Sequence, residues 1–160
     1  MDIGRDIYAE VRSFDSDQNF PNKHPASFIV QFGREIRFAG QWEIGLRDLN
    51  VECLSDSRPD LAGQIMYIHT NIIDFSIVGR SLKQLLKRVT LGRPIHARNR
   101  IMYQMNEAEK GCCCCYYKRI TVPHCLRLEV QIEDQKGNLI DFPDGSKITL
   151  SLHFKRTRQL

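Results

Sequence analysis

The 160-residue chain holds one tryptophan and six prolines, and none of its apolar runs nears the roughly 20 residues that a bilayer-spanning helix needs. The start, Met1-Asp2-Ile3-Gly4-Arg5-Asp6, is charged where a signal peptide would be apolar, which disfavours secretion by that route. No nucleotide-binding loop follows a strand, neither G-x-x-x-x-G-K-[ST] nor G-x-G-x-x-G. The G-x-S-x-G elbow and the H-E-x-x-H zinc helix are missing as well. The five histidines, His24, His69, His96, His124 and His153, are scattered, so the H-x-H pair that opens a cupin-type iron site is absent. These absences point away from an enzyme, and no catalytic residue, cofactor or metal site is expected.

What is present is ordinary for a globular chain: 42% hydrophobic and 26% charged residues, with a net charge of +4. That length suits one domain. We expect a single domain over residues 1–160, with about 1–6 and 155–160 as flexible termini. The charge is unevenly spread. Between Gly79 and Arg119 ten basic residues face two acids, Glu107 and Glu109. Arg80, Lys83, Lys87, Arg88, Arg93, Arg98 and Arg100 form the candidate partner-contact band. Such a band suits an acidic protein neighbour or phosphate, and aromatics are too sparse within it for base stacking. Its bland alternative is a solvated face.

Six cysteines are present: Cys53, the run Cys112–Cys115, and Cys125. Four adjacent cysteines cannot all pair in relaxed disulfides, because neighbouring side chains of an extended chain point to opposite sides. Cys112 and Cys115 have the two-residue gap of a zinc pair, but adjacent His124 and Cys125 make poor partners for one tetrahedral site. Reduced thiols in a loop are the simpler reading, with structural zinc and S-acylation as the alternatives. Asp15, Asp17 and Asn19 alternate as in a calcium loop. The sixth and twelfth positions then hold Phe20 and Ala26 instead of Gly and Glu, so a capped turn fits better.

Apolar residues recur with period two, the mark of half-buried strands. Ile7, Ala9 and Val11 form the first set, and Phe28, Val30 and Phe32 the second, with Ile36 and Phe38 as a brief addition. Trp42, Ile44 and Leu46 follow, and Trp42 is expected in the core. Gln64–Thr70 carries apolar residues on both faces, and Asn71–Val78 continues extended. Ile101–Met105 and Tyr116–Val122 are further strands. Leu126, Leu128, Val130 and Ile132 face inward, Leu139–Phe142 returns briefly, and Ile148, Leu150, Leu152 and Phe154 close the chain. Ser81–Arg88 alone reads as helix, with a Ser cap and Leu82, Leu85 and Leu86 at i, i+3 and i+4. The fold class is therefore all-β: a single jelly-roll antiparallel β-sandwich with one short helical insertion.

Three stretches carry a family likeness. The first is Asn19-Phe20-Pro21-Asn22 with Pro25-Ala26-Ser27-Phe28-Ile29-Val30-Gln31, then Gly40-Gln41-Trp42-Glu43-Ile44-Gly45-Leu46. The second is Met66-Tyr67-Ile68-His69-Thr70-Asn71-Ile72-Ile73, running to Val78-Gly79 and the leucines at 82, 85 and 86. The third joins Leu126–Ile132 to Gly137-Asn138-Leu139-Ile140-Asp141-Phe142 and Ile148–Arg156. The layout resembles the short penton-type minor capsid proteins of Polinton (Maverick) elements and adintovirus-like viruses, from about Phe14 to Arg156. That resemblance implies a structural capsid subunit with one jelly roll, forming a homopentamer at the icosahedral vertex of a virion assembled inside the host cell, in nucleus or cytoplasm. Implied partners are further copies of the chain, the major capsid protein and packaged DNA, with no membrane span. The chain departs from the layout at Asn50-Val51-Glu52-Cys53-Leu54-Ser55, which lacks an aromatic- and proline-rich segment, and at the cysteine run. The alternative is a ligand-binding β-sandwich, lectin-like or a trimeric signalling module, with Trp42 stacking on a sugar. Under the capsid reading, replacing Arg98 and Arg100 by Glu is expected to impair assembly and leave the monomer folded.

Overall fold

The structure, a computed structural model, describes residues 6–15, 24–54, 60–109 and 117–157. Twelve strands run in chain order: β1 (Ile7–Arg12), β2 (Ser27–Arg37), β3 (Trp42–Leu54), β4 (Ile65–Thr70), β5 (Ser76–Val78), β6 (Ser81–Lys83), β7 (Leu85–Thr90), β8 (Ile95–Ala97), β9 (Arg100–Gln104), β10 (Lys118–Arg119), β11 (His124–Glu133) and β12 (Lys147–Arg156). All pairings are antiparallel. One sheet has the order β1-β12-β3-β9-β8, with β10 also on β3, and the other has the order β2-β11-β4-β7. A separate hairpin pairs β5 with β6. The chain is all-β, an antiparallel β-sandwich.

Leaving aside the short strands β5, β6, β8 and β10, the chain changes sheet at almost every connection. Only β4 and β7 are joined within one sheet, and the β5–β6 hairpin fills that connection. The core lies between the sheets and follows the strand alternation. Ile148, Leu150, Leu152 and Phe154 of β12 are 0–2% exposed, as are Leu128, Val130 and Ile132 of β11. Trp42 is buried and donates its indole N–H to the Ala39 carbonyl at 2.9 Å. Phe38 stacks on Phe154 with centroids 5.9 Å apart.

Several expectations are corrected. Ser81–Arg88 is not a helix; it divides into β6 and the start of β7. The pairing of β7 with β4 slips at Ile68/His69, so Leu86 is an extra, bulged residue. A bulge switches the face that later residues present, so Leu86 and Val89 are both buried three apart and imitate a helical stripe. The same device acts in β3, where the slip opposite Ser151/Leu152 makes Arg47 the extra residue and buries both Leu46 and Leu49. In β11 a slip between Cys125 and Arg127 buries Cys125 and leaves Leu126 37% exposed, against its expected inward place. The two short strands expected within residues 28–38 are one strand, β2.

Ile140 and Phe142 are buried but belong to no strand. Lys155 and Arg156, expected to fray, pair with Glu43 and Trp42 because β3 extends far enough to hold them. Residues 1–5 and 158–160 of the expected flexible termini, most of the turn-rich stretch at 16–23, and the cysteine run at 112–115 lie outside the described residues.

Candidate functional site

The candidate basic band lies along one flank of the sandwich. β7 is the last strand of its sheet and β8 the last of the other. The end of β7 is tied to β9, the neighbour of β8, where Asn106 N–H, just past β9, donates to the Thr90 carbonyl and Gly92 N–H to the Gln104 carbonyl. Lys87 and Arg88 lie on β7, Arg93 on the loop that leaves it, and Arg98 and Arg100 at the β8–β9 turn and on β9. Arg80 sits instead at the β5–β6 turn and Lys83 on β6, over the outer face of the β4/β11 sheet.

The members of the band differ in availability. Arg100 is 2.6 Å from Glu52 on β3, and Lys87 donates to the Glu109 carbonyl at 2.9 Å. Arg80, Arg88, Arg93 and Arg98 are exposed and have no ion-pair partner among the described residues. Arg98 is the one described non-glycine residue with positive φ, +28°. The tight turn places this bulky side chain at an unfavourable backbone angle at the hairpin tip.

A second arrangement was not foreseen. Between the outer face of the β4/β11 sheet and the β5–β6 hairpin is a cavity of about 210 Å³. His69 on β4 and Glu129, Gln131 and Glu133 on β11 line its floor, because they alternate with the core residues Ile68, Leu128, Val130 and Ile132. Phe75 and Leu82 line it from the hairpin side and stay 63% and 69% exposed. Glu133 is buried, with its carboxylate 3.2 Å from His69 Nε2 and 3.5 Å from Lys83 Nζ. The side chain of His69 is 9% exposed, yet neither ring nitrogen has an aligned hydrogen-bond partner among the described residues, and the Thr70 hydroxyl is likewise unpartnered. Burial holds the His69 pKa below the usual histidine value; Glu133 opposes this and Lys83 reinforces it. The signal for this cluster is faint: His69 and Thr70 end an otherwise largely apolar strand.

His153 is buried against the outer face of the other sheet. Its Nδ1 is 2.6 Å from the Tyr117 hydroxyl, and its Nε2 is 3.1 Å from the Asp6 carboxylate. Tyr8 stacks on it with centroids 4.5 Å apart, and Arg47 stands 5.4 Å from the Tyr8 ring centre. Tyr117 crosses over Gly45, where a side chain would collide with it. This is a packed patch. His69 and His153 both sit on strands with a carboxylate at ion-pair distance from Nε2, and in both that nitrogen lacks an aligned hydrogen-bond partner among the described residues.

The remaining singled-out residues fall elsewhere. Trp42 is 2% exposed and presents no face for a sugar. Cys53 and Cys125 are buried free thiols, and burial raises both pKa values, that of Cys125 to about 11. No group of three or more His, Cys, Asp or Glu among the described residues is placed to hold a metal ion, and none of the described helices is long and apolar enough to cross a membrane. In comparison with known proteins, the chain matches no protein-family model and no curated protein.

Proposed function

We propose that the chain is a structural, non-enzymatic capsid subunit: a single jelly roll that assembles into a homopentamer as the penton-like vertex protein of a Polinton- or adintovirus-like particle. The carrying observation is the strand order. With the eight main strands numbered along the chain, the sheets read 1-8-3-6 and 2-7-4-5. First and last strands are neighbours, as are second and seventh, and third and sixth lie on the same side of the sandwich as fourth and fifth. This order supports the reading of two interleaved Greek keys in an eight-stranded jelly roll. The resemblance in the three sequence stretches joins the fold to capsid assembly. The flank with Arg88, Arg93 and Arg98, which have no ion-pair partner among the described residues, is the surface assigned to neighbouring subunits, the major capsid protein or packaged DNA.

Because Arg100 is paired with Glu52, replacing it by Glu removes a largely exposed ion pair and brings two carboxylates together, a cost to the monomer of about 1 kcal/mol or less that would be mixed with any effect on assembly. The informative variant is therefore Arg93→Glu with Arg98→Glu. Negative-stain class averages of the reduced wild-type protein are expected to show rings with fivefold symmetry, and the double variant is expected to remain folded single subunits. Wild-type single subunits, or a double variant that forms rings normally, contradict the reading.

A further inference from the structure

We propose that the cavity beneath the β5–β6 hairpin receives the side chain of an arginine from a second copy of this chain, presented by the β8–β9 hairpin. The inference rests on the capsid-subunit reading and names one contact of the assembly.

Four observations converge. The cavity, about 210 Å³, falls below the roughly 300 Å³ at which small-molecule sites begin, and it suits one long side chain. Its charge is acidic: Glu129 and Glu133 face a single cation, Lys83. It has unmet polar capacity in the buried Thr70 hydroxyl, and the Glu133 carboxylate is met by His69 Nε2 and Lys83 Nζ only at 3.2 and 3.5 Å. The Gln84 side-chain N–H donates to the carbonyls of Asn71 and Ile73, which leaves its amide oxygen to accept. Phe75 and Leu82 provide an apolar wall for the aliphatic stem. A guanidinium matches this set, with five donors in a planar fork and a face that stacks on an aromatic ring.

The source is argued from complementarity within the molecule. Arg98 is exposed, has no ion-pair partner among the described residues, and is held at a hairpin tip by an unfavourable φ of +28°. The β8–β9 hairpin lies at the edge of one sheet, and the cavity opens on the outer face of the other. Two different patches of identical subunits then meet head to tail, the kind of contact whose repetition gives a ring when the rotation between subunits closes.

The cavity and the source are tested separately. N-acetyl-arginine methylamide is titrated into the protein while the His69 ring is followed by NMR. A saturable shift is expected, absent with the neutral citrulline analogue and at least tenfold weaker in Glu129→Gln. No shift overturns the arginine pocket, whether or not the wild type forms rings. For the source, Arg98→Glu and Glu129→Arg are each expected to lower the assembled mass, with circular dichroism confirming the fold, and the combined variant is expected to restore it. If Arg98→Glu assembles normally, or the combined variant does not recover, Arg98 of a second copy is not the occupant. A wild-type chain that stays monomeric overturns both the second-copy source and the capsid reading. Rings without a His69 response overturn this inference alone.

Discussion

Replacing Gly45 by Ala should destabilise the protein, and removing Tyr117 should reverse the sign of that effect. Gly45 lies buried in β3 with no positive φ, so alanine suits its backbone. A Cβ there meets Tyr117 at 2.8 Å from Cε1, 3.0 Å from Cδ1 and 3.1 Å from Cζ. Carbon atoms pack at about 3.5–4.0 Å, so the ring must retreat by roughly 1 Å. Its hydroxyl is anchored 2.6 Å from His153 Nδ1, and Lys155 Nζ stands 3.8 Å from its centroid, so retreat disturbs both contacts. Overpacking of this kind costs about 1–3 kcal/mol. Alanine in a strand recovers about 0.5–1 kcal/mol relative to glycine. The net loss is about 0–2.5 kcal/mol, centred near 1, and at this chain length each kcal/mol lowers Tm by about 2–4 °C. In a Tyr117→Ala background only the gain remains, and Gly45→Ala should stabilise. Thermal and urea unfolding of the four proteins closes the cycle. Equal effects of Gly45→Ala in both backgrounds would refute the reasoning.

Phe154→Ala empties a fully buried site against Phe38, and urea unfolding should show a loss of about 3–5 kcal/mol. A loss under about 1 kcal/mol would mean the site is not core. His69 has its folded pKa below its unfolded value, so the unfolded chain binds the extra proton first. The stability contribution is complete above about pH 6.5 and falls as pH drops toward the folded pKa. His69→Gln should flatten the stability profile in that window, and an unchanged profile would show that the histidine is not held neutral. Cys53 and Cys125 should resist iodoacetamide in the native state and react on unfolding, as read by peptide mass mapping.

Strands whose pattern ran unbroken were legible from sequence. Ile7, Ala9 and Val11, or Ile148 to Phe154, keep strict alternation and pair with each other in register. Legibility failed where a bulge altered the phase. Leu86 in β7, Arg47 in β3 and the slip after Cys125 in β11 each place buried residues three apart, which a two-residue period cannot register. A supposed helix, a strand ended too early at Leu46 and a misplaced Leu126 all follow from that. The candidate site was half visible. The basic residues could be counted, but their division between a flank and a hairpin depends on which sheet each edge strand joins. The cavity was hidden because His69, Lys83 and Glu133 come from strands 14 to 64 residues apart in the chain, and only the β4–β11 pairing and the fold-back of the β5–β6 hairpin bring them together.

The central claim is self-assembly into a closed ring, and its most direct test is the mass of the purified, reduced protein by light scattering on a sizing column. The account predicts one stable species at five times 18.6 kDa. A species at 18.6 kDa that persists on concentration would contradict it, as would a stable trimer.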